Sequence, residues 1–261
     1  MDTSPDSKIT ALIITYNEMG YIEACLESLG FADEIIVVDS FSTDGTFNYL
    51  QSVPGLKVIQ HPFENFTIQK TFALSLANYD WVLFLDADEV IPQKLGAEIL
   101  STVQQNPTHV AFWVYRKFMF KKKRLRFSGW QTDKNYRLFR KSKARFKTNR
   151  LVHETLELQG TSGKLREKLI HFTYKNYRDY RNKMIRYGRL KAQEEFQRGQ
   201  RFLLVMLILK PLWKFVNHYF IRLGILDGQR GIIICYLNAL GVYERCVSLR
   251  KLSRTHQASR F

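Results

Sequence analysis

Trp81-Val82-Leu83-Phe84-Leu85-Asp86-Ala87-Asp88-Glu89 is the stretch on which the fold turns. Its bulky apolar run, set between Asp80 and Pro92, reads as a strand buried on both faces. The run stops in three carboxylates within four residues. Asp86 and Asp88 stand two apart, so in an extended backbone they share a face. Two hard oxygen ligands then lie at the carboxyl end of a buried strand, where open α/β sheets bind their ligands. The same acids would also suit the first turn of a following helix, whose dipole favours negative charge. The flanking segments must separate these readings.

Upstream, Ile9 to Thr15 is a β-branched run that breaks at Tyr16-Asn17-Glu18-Met19-Gly20. Tyr21 to Leu29 follows with helical spacing of Ile22, Cys25, Leu26 and Leu29. Glu34 to Val38 is a second buried strand ending in Asp39, and Ser42 to Gly45 supply a turn into a helix. Leu56 to Gln60 reads as a third strand, and Phe66 to Ala77 as a helix. This strand–helix alternation predicts an α/β fold with a mostly parallel, doubly wound sheet. Such a sheet brings Thr15 to Glu18, Asp39 and Asp86 to Glu89 to one edge. No Gly-x-Gly-x-x-Gly and no Walker A loop occurs. An acid ending the second strand can accept from a ribose or base, and carboxylates ending the fourth can hold a divalent cation against a diphosphate. Together they suggest a nucleotide-diphosphate site without a P-loop.

Composition narrows the partners. Forty Lys and Arg against 24 Asp and Glu give a net charge of +16, which calls for a polyanion: nucleic acid, an anionic membrane or a phosphorylated substrate. Cys25, Cys235 and Cys246 have no metal-type spacing and fit a reduced compartment. The acidic Met1-Asp2-Thr3-Ser4-Pro5-Asp6 does not read as a signal peptide. No apolar run reaches the roughly 18 uninterrupted residues of a plain membrane helix.

Thr15-Tyr16-Asn17-Glu18, Val37-Val38-Asp39 with Ser42-x-Asp44-Gly45-Thr46, Gln69-Lys70 and Asp86-Ala87-Asp88-Glu89 occur in an order and spacing that resemble the family 2 glycosyltransferases with a GT-A fold. Tyr136-Arg137-Leu138-Phe139-Arg140-Lys141 and Val152-His153-Glu154 are similar to the branch containing lipopolysaccharide core β-1,4-glucosyltransferases. The resemblance implies an inverting transferase with a UDP-sugar donor, UDP-glucose first, and an anionic glycolipid acceptor such as the lipopolysaccharide inner core. It implies that Asp39 meets the uracil or ribose, and that Thr15, Tyr16, Glu18, Lys70, Asp86 and Ala87 line the nucleotide-sugar pocket. Asp88 would hold Mg²⁺ or Mn²⁺, with His171 as a further ligand, since a neutral imidazole suits Mn²⁺. Glu154 would take the acceptor's proton and His153 would orient it. Trp130, where the family has a loop beside the acceptor, would offer a sugar platform, although a Trp packed in a core is as ordinary. A His among apolar residues such as His171 is equally an ordinary core histidine.

The implied GT-A catalytic domain covers residues 8–175. Arg116 to Arg126 interleaves cations with Phe118, Met119 and Phe120, as a solvated hairpin or a cationic lip would. Residues 176–249 form a helical region, in which Lys210, Lys214, His218 and Arg222 recur every four residues beside Leu212, Trp213, Phe215 and Phe220. That pattern fits an interfacial helix on anionic lipid, or a hairpin packed on the protein or in a homo-oligomer. Leu223 to Gly231 reads as a turn, Ile232 to Val247 as a short apolar helix, and residues 250–261 as a disordered basic tail. The expected location is peripheral, on the cytoplasmic face of a bacterial inner membrane. A transferase acting on polyprenyl phosphate or another glycan is the nearest rival. A nucleic-acid-binding protein is disfavoured, because acid-tipped strands repel phosphates.

Overall fold

Strand β1 (Ile9–Thr15) is buried at every position, as a β-branched run between two covered faces must be. It pairs in parallel with β2 (Glu34–Asp39) on one side and β4 (Trp81–Asp86) on the other, and β3 (Lys57–Gln60) lies beyond β2. The order β3-β2-β1-β4 reverses its progress between β1 and β4, the switch point where doubly wound sheets open a crevice. Alternate residues feed two cores. Ile9, Ala11 and Ile13 pack with α1 (Ile22–Glu27) and α4 (Gln93–Gln104), while Leu12, Ile14 and Phe84 pack with α3 (Phe66–Ser75). Helix α2 (Thr46–Ser52) starts from Gly45, whose φ of 94° suits a residue without Cβ.

Beyond β4 the sheet turns antiparallel. β8 (Lys134–Arg140) pairs with β4, β6 (Ala111–Phe120) with β8, and β5 (Glu89–Val90) closes the edge against β11 (Ser162–Tyr174). The whole is one mixed sheet whose doubly wound half is parallel. β9 (Ala144–Phe146) and β10 (Leu156–Leu158) form a separate small ladder.

This computed structural model describes residues 7–120, 123–130, 133–147, 155–174, 176–200 and 202–258. The chain divides into two units, residues 1–117 with 134–172 and residues 118–133 with 173–261. The second contains the end of β6, its hairpin partner β7 (Lys123–Leu125), and the helices α5 (Tyr177–Gln197), α6 (Met206–Val216) and α7 (Gly228–Ala258). The cationic Arg116–Arg126 segment is thus largely strand. Pro211 lies inside α6, and α6 runs into a π turn over Asn217–Ile221. The stretch expected to be a tail continues α7 to Ala258. The apolar helix is also longer than its sequence pattern suggests: Gly224–Thr255 suffices to cross a membrane by length and composition alone. All three cysteines are buried thiols.

Helices α5 and α7 pack backbone to backbone at Gly188. A Cβ there would lie 2.5 Å from the carbonyl oxygen of Gly241. Gly188→Ala is expected to cost about 1–3 kcal/mol by overpacking, despite alanine's better helix propensity, and thermal melts would register the loss.

Candidate active site

Register places three strand ends side by side. Thr15 lies opposite Asp39 on β2, and Ile14 lies opposite Asp86 on β4. The loops leaving β1 and β2 are laced together. The Asn17 amide donates to Ser42 Oγ, the Thr43 amide to Asn17 Oδ1, the Glu18 amide to Thr46 Oγ1 and the Met19 amide to Asp44. Asn17 and Phe41 both adopt φ near 58°, a conformation bulky side chains rarely take outside functional loops. Tyr16 and Phe41 are more than half exposed on these loops, while the buried Thr15 hydroxyl lacks a hydrogen-bond partner among the described residues.

Asp39 is fully buried. Its carboxylate accepts from the Ser42 amide, the Ser42 hydroxyl and the Gln60 side chain, so it already ties the loop to β3. A carboxylate has about four acceptor positions, which leaves one for a ligand.

Asp86 and Asp88 do not share a face as an extended strand would require. A turn at Ala87-Asp88 separates β4 from β5 and sends the two acids to different partners. Asp86 accepts from Arg137 Nη2 at 2.6 Å and lies 3.9 Å from Lys70 Nζ. Burial alone would raise its pKa. Arg137 above all, then Lys70, His171 and Arg116, outweigh that and hold it well below the usual carboxylate range. Arg137 also donates to the fully buried Glu89, which lies 3.5 Å from Arg116 and accepts from the Asp86 amide. These acids do not serve α4, whose first turn carries none and which starts after Pro92.

Asp88 instead meets His171. Ladder β5–β11 pairs His171 with Glu89, the Phe172 amide donates to the Asp88 carbonyl, and His171 Nε2 lies 3.1 Å from Asp88 Oδ2. Among the described residues no three His, Cys, Asp or Glu side chains converge as a ready metal site. The pair still fits a cation that arrives with its substrate. One carboxylate oxygen and one imidazole nitrogen could serve as two ligands of a divalent cation.

Residues 10–169, more than half of the chain, match the profile of Glycosyl transferase family 2. The chain belongs to that family. It is 29% identical over 253 residues to a lipopolysaccharide core biosynthesis glycosyltransferase, LpsC of Rhizobium meliloti, covering 92% of this chain and 94% of the relative. It is also 29% identical over 257 residues to an uncharacterised glycosyltransferase of Rickettsia typhi, covering 94% and 88%. Among solved structures, the mannosyltransferase PcManGT of Pyrobaculum calidifontis, in complex with GDP-Man and Mn²⁺, aligns with TM-score 0.50 at 17% identity over 97% of this chain and 78% of its own. TarS of S. aureus aligns with TM-score 0.50 at 15% identity, over 94% and 55%.

As a family 2 glycosyltransferase, the chain keeps its strand-end residues together and distributes the rest. Thr15, Tyr16, Glu18, Asp39, Lys70, Asp86, Ala87, Asp88 and His171 all belong to the first unit. His153 and Glu154 lie outside the described residues. Trp130, expected as an open platform, packs 4.2 Å from Phe118 in the second unit's hydrophobic cluster, with Tyr180 and Leu237. The stripe Lys210, Lys214, His218 and Arg222 is not one outward helix face: His218 is buried, Lys210 and Lys214 are partly buried, and Arg222 is exposed. It lines a cleft completed by Val242 and Arg245 of α7, and the outward side is apolar instead. The cause is α7, which offers a packing partner that the sequence of α6 alone does not reveal.

Arg137, Arg116 and Glu89 received no role from the sequence. The signal was present: an Arg between apolar neighbours in a strand needs a buried acid. Pairing β4 with β8 and β8 with β6 brings both arginines to Glu89.

Proposed function

We propose that this glycosyltransferase moves a hexose, glucose first, from a UDP-sugar to a membrane-embedded anionic glycolipid such as the lipopolysaccharide inner core, with inversion at the anomeric carbon. The observation that carries the reading is the Asp88–His171 pair, 3.1 Å apart beside the ends of β1, β2 and β4. The relative named for lipopolysaccharide core biosynthesis supports the acceptor class. The exposed apolar residues from Leu203 to Leu226, and a helix apolar enough to enter a bilayer, support a membrane location.

In this reading Asp39 receives the uracil or ribose at its remaining acceptor position, and the backbone of Thr15 to Glu18 lines the pocket. Asp88 and His171 would hold Mn²⁺ or Mg²⁺. The bound cation supplies positive charge against the departing diphosphate, where the transition state develops most of its negative charge. Arg137 and Lys70 keep Asp86 ionised and fixed beside them. Glu154, oriented by His153, takes the acceptor hydroxyl's proton as that oxygen attacks the anomeric carbon and the bond to the diphosphate breaks.

The test is a donor screen on the full chain, following hydrolysis of UDP-glucose, UDP-galactose, UDP-N-acetylglucosamine and GDP-mannose with Mn²⁺ or with EDTA. UDP-sugar turnover that EDTA abolishes is the expected result. A GDP-mannose preference would overturn the donor, and full turnover in EDTA would overturn the metal. Asp88→Asn should cut turnover by on the order of 10²-fold while leaving the fold intact. Its Mn²⁺ affinity, measured calorimetrically with UDP present, should fall with it.

A further inference from the structure

We propose that the helical unit binds one phosphate group of an anionic lipid in the cleft between α6 and α7. The cleft is open to solvent, with a volume of about 470 Å³. Four cations line it, Lys210, Lys214, Arg222 and Arg245, together with Asn217, and no lining residue is acidic. His218 also faces it, but it adds no charge. Its Nδ1 donates to the Ser128 carbonyl at 2.9 Å, and burial, with Lys214 beside it, pulls its pKa down to about 4. Among the described residues, Glu195 on α5 reaches the group from outside and pairs with Arg245 Nη1 at 3.1 Å. The Nε of Arg245 is buried without a hydrogen-bond partner among the described residues. Lys214 is crowded by burial and by Arg222, Lys191 and Arg245, all of which pull its pKa down. Like charges gathered in a half-buried cleft favour an anion that neutralises them.

The helix geometry serves the cleft. Side chains four residues apart drift around an α-helix of about 3.6 residues per turn. The π turn over Asn217–Ile221 ends at Arg222, which lines the cleft with Lys210, Lys214 and His218.

The surroundings point to lipid as the source of the phosphate. Trp213 lines the cleft and is 61% exposed, and Ile208, Leu209 and Leu212 of the same helix are more than half exposed. A headgroup seated on the cations would lay its acyl chains on that face. A nucleic acid needs a track of cations along a surface rather than one recess beside an apolar face. The inference shares only the membrane location with the reading of the active site and does not depend on the donor.

The experiment is flotation of the full chain with vesicles of phosphatidylcholine alone, with phosphatidic acid, or with oleate at equal negative charge. Preference for phosphatidic acid is the expected result, with a loss of about tenfold or more in Lys210→Met/Lys214→Met. That variant should melt no lower than wild type, since it removes mutual repulsion, and should keep the donor hydrolysis of wild type. Should it fail to fold, Asn217→Asp, which puts a carboxylate into the cleft, should weaken phosphatidic acid binding in the same direction. Equal binding to phosphatidic acid and oleate would overturn the phosphate site in favour of surface charge. Undiminished binding by the folded variants would overturn the cleft. Displacement by inorganic phosphate or by a random oligonucleotide at equal phosphate concentration would overturn the lipid. Absent donor hydrolysis in wild type, with lipid preference intact, would sink the reading of the active site and leave this one standing.

Discussion

The Arg137→Met variant is expected to lose about 3–5 kcal/mol of stability at neutral pH, the cost of leaving a buried charge without its partner. Arg137 is 3% exposed and bridges Asp86 at 2.6 Å and the fully buried Glu89. Methionine fills much of its volume but leaves Arg116, at 3.5 Å, as the nearest cation to Glu89. The loss should depend on pH with a definite sign. Asp86 has a folded pKa lowered chiefly by Arg137 against burial, so its contribution is present above the unfolded value near 3.8 and fades as pH falls below it. Urea midpoints of wild type and variant should therefore lie far apart at pH 7 and approach each other in acid. A gap that stays constant with pH would mean that packing, not charge, is what Arg137 contributes. Activity should fall as well, because Asp86 loses the contact that fixes it beside Asp88.

Glu154→Gln should separate chemistry from binding. Glutamine keeps the shape and hydrogen-bonding reach of glutamate but cannot accept a proton, so transfer should slow by about 10²–10⁴. UDP affinity should remain, because the proposed nucleotide site is assigned to the ends of β1 and β2 rather than to Glu154. Asp39→Ala should do the reverse, weakening UDP binding and loosening the loop that Ser42 and Gln60 tie down. If calorimetry finds the nucleotide lost in Glu154→Gln and kept in Asp39→Ala, the two roles are wrongly assigned.

The parallel half of the sheet was legible residue by residue. Each of its strands is a short apolar run closed by a polar turn, and burial on both faces writes that pattern directly into composition. The antiparallel half was less legible, because the partners of β8, β6 and β11 lie far apart in sequence. Arg137 shows the consequence. Its motif was visible as a resemblance, but its work depends on β8 lying beside β4. In the same way Asp86 and Asp88 were found as a pair, yet the turn at Ala87-Asp88 gives them separate partners.

By itself the sequence determined the family and the strand ends that bear acids, because local runs and motif spacing carry that information. Only the tertiary structure decided which charges meet. It joined Asp88 to His171 across the β5–β11 ladder and closed Arg137 over Asp86 and Glu89. It also set Lys210 and Lys214 of α6, partly buried, in a cleft against α7. Periodicity reports that a helix has two faces but not which of them a neighbour covers. The neighbour here is α7, whose contacting Val242 and Arg245 lie about 30 residues along the chain.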